Sequence, residues 1–205
     1  MRFGDEYLDI SGRKVKFARI ISRLLPAPLF NFYLGIILAF YSPVGLGPYL
    51  NSWTSLAICI VFMVILPVSP IIIEAKRGNV DLDVSEQAKR NRFFLAAIAF
   101  YVAAFDIYYV AACDVMAVFA AAYATVTTGI MIATRWSKVS VHAAGVGGPG
   151  TALLFIYGAM GLLVVAIWFL VIWARIILRQ HSLQQSLLGL GLAILITIAT
   201  YAALW

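Results

Sequence analysis

Apolar runs too long for a soluble core constrain this chain more than any other feature. Trp53 to Ile73, Phe93 to Ala111, Val115 to Thr134 and Leu183 to Trp205 each approach the ~20 residues that carry a helix across a ~30 Å hydrocarbon core. With 63% of its 205 residues hydrophobic, the chain cannot wrap its apolar groups in a charged shell. A membrane span must satisfy every backbone N–H and C=O internally, so these runs are expected as helices. The expected fold is all-α, a polytopic transmembrane helical bundle of six to seven spans.

Residues 1–23 stand apart as a basic N-terminal interfacial segment: Arg2, Arg13, Lys14, Lys16, Arg19 and Arg23 against Asp5, Glu6 and Asp9. From Val15 onward, basic and apolar residues interleave as in an amphipathic helix lying on a membrane surface. Residues 24–205 then form a single transmembrane domain. Its first run, Leu24 to Tyr41, is interrupted by Pro26, Pro28 and Asn31, which is why the span count is six or seven. The pattern of a cleaved signal peptide is absent.

Two topologies compete between Val141 and Leu178. Hydropathy alone reads Thr151 to Trp173 as one span, which would put His142 and His181 on opposite sides of the bilayer. Alternatively, helices from Val141 to Tyr157 and from Leu162 to Leu178 form a hairpin around Gly158-Ala-Met-Gly161, each arm ~25 Å long at 1.5 Å per residue and short for the core unless the bilayer thins. Charge decides. The hairpin puts all fifteen Lys and Arg residues on one side and none in the three opposite turns, as the positive-inside rule favours. The expected location is the cell membrane, with the basic face cytoplasmic.

Cys59 and Cys113 sit in apolar runs without metal or redox spacing and are expected to pack in the core. A formal charge of +6 on so apolar a chain points to membrane orientation and an anionic substrate, not to nucleic acid.

Between the last two apolar runs lies a polar island, Arg175-Ile-Ile-Leu-Arg-Gln-His181-Ser-Leu-Gln-Gln185-Ser-Leu-Leu-Gly189. The other of the two histidines lies in Lys138-Val-Ser140-Val-His142. Ser-x-His followed by Arg-x5-His-x3-Gln-x3-Gly resembles the second and third signature motifs of the type 2 phosphatidic acid phosphatase superfamily, Pro-Ser-Gly-His and Ser-Arg-x5-His-x3-Asp-x3-Gly. Both family histidines fall on the only two in the chain.

The resemblance implies a metal-independent phosphatase, with no cofactor, that cleaves a lipid phosphate or diphosphate. His181 would be the nucleophile forming a phosphohistidine, and His142 the general acid for the leaving group. Arg175 would clamp phosphate oxygens and Ser140 donate its hydroxyl, with Lys138 adding charge. The family's first motif, Lys-x6-Arg-Pro, is matched poorly. Arg92 is carried over, with Arg90 and Lys89 as stand-ins, although Phe93 follows where proline would. Val141 replaces a glycine, and Gln185 replaces the aspartate that orients the nucleophile. Its amide oxygen can accept the imidazole N–H but adds no charge.

Local readings stand beside these. Gln185 can close a capping box with Ser182. Arg179, Arg135, Lys76 and Arg77 fit the positive-inside pattern. Asp106, inside the third run, needs a partner such as Tyr108 or Thr127. Asp81 and Asp83 are read as loop carboxylates near Lys89 and Arg90, since the aspartate-rich motif of metal-diphosphate prenyl transfer is absent. Gly145, Gly147, Gly148 and Gly150 suit close helix packing. The sequence therefore predicts an integral membrane lipid phosphatase acting on a polyprenyl or glycerolipid substrate. A non-hydrolytic lipid-phosphate binder or carrier that reuses the same anion pocket is the alternative. The oligomeric state is left open.

Overall fold

The computed structural model describes all 205 residues and is helical throughout, without strands. Helix α1 (Arg13–Leu24) meets α2 (Ala27–Tyr41) at a 54° bend, where Pro26 cannot continue the first helix. Helix α3 (Ser52–Cys59) runs through a π turn (Ile60–Ile65) into α4 (Leu66–Lys76). Then come α5 (Arg90–Val110), α6 (Asp114–Ala133), α7 (Val141–Tyr157), α8 (Leu163–Ile177) and α9 (Leu183–Leu204). Ser52–Lys76, Gln87–Val110, Asp114–Ala133, Val141–Ile177 and Leu183–Leu204 are each long and apolar enough to cross a membrane, and the bent α1–α2 pair adds a sixth. Large apolar side chains face outward, among them Leu163, Phe169, Leu195 and Leu95, as suits a lipid-facing surface. The chain is an integral membrane protein.

The π turn has a local cause. Pro67 has no N–H, so the Met63 carbonyl four residues earlier loses its helical partner. Asn31 Nδ2 of α2 donates to that oxygen at 2.8 Å. Pro70 frees the Leu66 carbonyl in the same way, and Ser69 Oγ donates to it at 2.9 Å. With no water in hydrocarbon, such substitutes keep a proline-interrupted span intact.

Val141–Ile177 is helical without a break but folds back on itself. The 3₁₀ turn Gly158–Leu162 reverses it, beginning at Gly158 with φ of 58°, a conformation that glycine adopts without strain. Trp168 Nε1 of α8 donates to the Val146 carbonyl of α7 at 2.8 Å, and a β-carbon on Gly150 would lie 2.5 Å from the same indole. The two arms are therefore antiparallel neighbours, as the charge argument required. Helix α7 is central because its glycines let three partners approach. A β-carbon at Gly145 would strike Ala27 of α2, one at Gly147 would meet Leu190 and Ala193 of α9, and Gly150 admits α8.

The remaining core lies where α5 and α6 meet α2 and the π turn, around Leu34, Leu38, Met63, Tyr108 and Phe119. Asp106 is exposed, and Tyr108, its expected partner, instead donates to the Ser55 carbonyl at 2.7 Å. At one end of the bundle Tyr157 OH reaches the Tyr41 carbonyl at 3.1 Å and Gly47 packs on the Ala112 carbonyl. That end carries no Lys or Arg. The opposite end gathers the basic residues and both histidines.

Candidate functional site

At the basic end, two capped helix starts face each other. Ser140 caps α7, its Oγ accepting the Ala143 N–H at 3.3 Å, so His142 stands in the first turn. Ser182 caps α9, its Oγ accepting the Gln185 N–H at 3.2 Å, while Gln185 Oε1 accepts the Ser182 N–H at 3.2 Å. His181 Nδ1 lies 3.2 Å from that same Oε1. Gln185 therefore does both jobs read from the sequence: it closes the capping box and orients the imidazole. Because Oε1 only accepts, Nδ1 carries the proton and Nε2 is left with the lone pair.

The two motifs are joined through backbone. Ser140 N–H donates to the Gln185 carbonyl at 3.2 Å, and Gly189, one turn further along α9, lies against the Ser140 carbonyl.

Arg175, at the end of α8, is only 2% exposed. Its Nη1 donates to Ser22 Oγ of α1 at 2.8 Å, its carbonyl accepts the His181 N–H at 3.4 Å, and its Nε has no partner. Arg90, at the start of α5, is equally buried, with Nε on the Val84 carbonyl at 2.8 Å and Nη1 on the Val139 carbonyl at 3.0 Å. Both guanidinium charges reach both imidazoles, and the Lys138 charge reaches His181. His181 is pushed down to about 3, first by burial and then by Arg175 and Arg90, so it is neutral at physiological pH. Burial, reinforced by Arg90 and Arg175, also lowers Lys138.

Lys89 and Arg92, expected among the phosphate ligands, lie elsewhere. Lys89 pairs with Glu86 at 2.6 Å and donates to the Asn79 carbonyl. Arg92 pairs with Glu74 at 3.1 Å and lies over the Phe93 ring, half exposed. Helical geometry separates them from Arg90: its side chain turns inward, whereas theirs point to the outer surface.

Two participants were not foreseen. Ser22 holds Arg175. Asp83, read from the sequence as a loop carboxylate, sits inside the cluster, with Oδ1 3.6 Å from Arg175 Nη1 and 3.9 Å from His142 Nε2. Only its position just before a basic helix start hinted at this.

A largely apolar cavity of about 650 Å³ runs from this cluster into the bundle. Asp83, Arg90 and His142 lie at its polar end, and Phe94, Phe119, Tyr123 and Ala152 line its depth. Chemically, the arrangement joins a cluster of basic residues to a largely apolar cavity, with His142 lining the cavity and the neutral His181 in the cluster outside it. Comparison with protein-family models, curated proteins and solved structures finds no match.

Proposed function

We propose that this protein is a membrane phosphatase that hydrolyses a lipid phosphate or diphosphate through a phosphohistidine. The observation that carries this reading is Arg175: a buried guanidinium with an unpartnered Nε, beside two histidines and Arg90, of which His142 and Arg90 line an apolar cavity. A buried, unfilled charged donor is costly unless an anion completes it.

His142 takes up a proton as the phosphate anion binds beside it; His181 Nε2 then attacks phosphorus, the bond from phosphorus to the lipid oxygen breaks, and His142 delivers its proton to that oxygen. Arg175 and Arg90 balance the charge on the non-bridging oxygens, Lys138 adds charge near His181, and the buried Ser140 hydroxyl caps α7. Water, deprotonated by His142, then releases phosphate from His181. The cavity borders His142 but not His181, which supports a lipid lying on the leaving-group side. The polyprenyl or acyl chain occupies the cavity, and the positive-inside bias favours the cytoplasmic face of the cell membrane.

Purified protein in detergent micelles tests this against a panel of polyprenyl and glycerolipid phosphates and diphosphates. Phosphate release is expected to fall by about two orders of magnitude or more in both His181→Ala and His142→Ala; full activity in both variants rejects the assignment. A second reading, a lipid-phosphate carrier, is favoured by Gln185, whose neutral amide orients His181 but cannot stabilise an imidazolium by charge. Stoichiometric binding of a lipid phosphate without turnover would establish it.

A further inference from the structure

We propose that Asp83 is a tethered anion occupying the place of the substrate's phosphoryl oxygens, and that the backbone of residues 2–4 holds it there. The proposal rests on the phosphate-site reading above. Asp83 Oδ1 stands between Arg175 Nη1 and His142 Nε2, at 3.6 and 3.9 Å, the two groups that reading assigns to one phosphate. Both distances exceed a hydrogen bond, so the carboxylate neutralises the site without satisfying its donors, and Arg175 Nε stays unpartnered. The carboxylate is 4% exposed, so phosphate enters only if it leaves.

The hold comes from outside the bundle. Gly4 N–H donates to Asp83 Oδ2 at 3.3 Å, and Leu82 N–H donates to the Arg2 carbonyl at 3.0 Å. Asp5 and Glu6, next along the strap, pair with Arg19 and Arg23 of α1. The strap lies close because Gly4 has no side chain: a β-carbon there would be 2.2 Å from Ser85 Oγ and 2.7 Å from Gln180 Oε1. The loop beneath is itself strained. Val84, a β-branched residue, takes φ of 46°, a left-handed conformation such residues avoid. Asp81 holds the loop in that shape, accepting from Asp83 N–H at 2.8 Å and from Ser85. Closed, the loop keeps the site neutral and shut. Open, it relieves Val84 and exposes Arg175 and His142 to an anion, so apparent affinity carries the cost of the closed population.

Inorganic phosphate is the probe, with binding to the full chain in detergent followed by calorimetry. Asp83→Asn is expected to tighten binding by about tenfold or more. Gly4→Pro keeps every charge but removes the N–H that donates to Asp83 Oδ2, and Phe3 before it is already extended, as proline requires, so tightening in the same direction separates displacement of an occupant from a change in local charge. Arg175→Gln is expected to abolish binding in each background. If Gly4→Pro binds phosphate no more tightly than wild type, the strap does not hold an occupant and the proposal is overturned. If, in addition, Asp83→Asn binds equally or more weakly while Arg175→Gln still abolishes binding, the phosphate site stands without the plug. Absence of binding in every variant removes both. Circular dichroism confirms that each variant is folded, and should Asp83→Asn fail to fold, Gly4→Pro decides.

Discussion

Gly189 lies directly against Ser140: a β-carbon there would come within 2.5 Å of the Ser140 carbonyl oxygen. This contact sets how closely the start of α9 approaches the start of α7, and hence how closely His181 approaches His142. The obstacle is backbone, which cannot rotate away as a side chain can. Gly189→Ala should cost about 1–3 kcal/mol and loosen the Ser140 N–H bond to Gln185. Thermal unfolding in detergent checks the first effect and phosphate release the second. A variant with wild-type values for both would show that the contact does not position the histidines.

Gln185 serves two partners through one oxygen, so its substitutions separate its roles. Gln185→Glu keeps the length and both hydrogen bonds while adding the charge that a developing imidazolium lacks. His181 should then titrate above its present value of about 3, and turnover on a lipid phosphate should rise. Gln185→Leu keeps the Ser182 cap but loses the side-chain half of the capping box, at about 1 kcal/mol, and leaves the imidazole tautomer unfixed. Histidine nitrogen resonances followed across pH in the two variants distinguish the effects. An unchanged His181 titration in Gln185→Glu counts against the contact.

The sign of the His181 shift fixes a stability profile. Its folded pKa of about 3 lies below the unfolded value near 6.5, so between these limits the unfolded chain binds the extra proton. Stability is therefore flat above about pH 6.5 and falls as the pH drops toward 3. His181→Gln should flatten part of that acid limb. Unfolding midpoints from pH 4 to 8 test it, and an acid limb identical in the variant would mean that His181 is not the group responsible.

The hairpin was legible because it concerns charge and small residues, which the sequence displays openly. Fifteen basic residues segregate only if Val141–Ile177 turns back, and glycines on several sides of α7 mark a helix packed on several neighbours. That the stretches around His142 and His181 share one end of the bundle was legible through the hairpin, whereas the backbone bond from Ser140 to Gln185 was not. Asp83 was not, because its position depends on loop dihedrals such as the positive φ of Val84, which leave no hydropathic trace. Lys89, Arg90 and Arg92 could not be told apart for a related reason. In a run of basic residues at a helix start, the residue that turns inward depends on helix phase, and only Arg90 finds the Val84 and Val139 carbonyls.

The same topology predicts reagent accessibility. Ser11 and Ser137 lie at the basic end, and Met160, 75% exposed, lies in the turn at the other. Cys59 and Cys113 are buried, so background labelling should be low. In sealed vesicles Ser11→Cys and Ser137→Cys should react with an impermeant maleimide from one side and Met160→Cys from the other. Labelling of Ser11→Cys and Met160→Cys from the same side is incompatible with the hairpin.

The repair of the π turn can be tested by a cycle of substitutions. Asn31→Leu removes the side-chain donor to the Met63 carbonyl, which Pro67 deprives of its α-helical partner. An unsatisfied carbonyl within the bilayer should cost about 1–3 kcal/mol. Pro67→Ala restores a backbone N–H at the interruption, so Asn31→Leu should cost less in that background than in the wild type. The difference between the two costs is the coupling between side chain and backbone, measurable from unfolding in mixed micelles. Equal costs in both backgrounds would mean that Asn31 stabilises α2 by packing alone, and that the π turn persists for a reason other than the missing proline hydrogen bond.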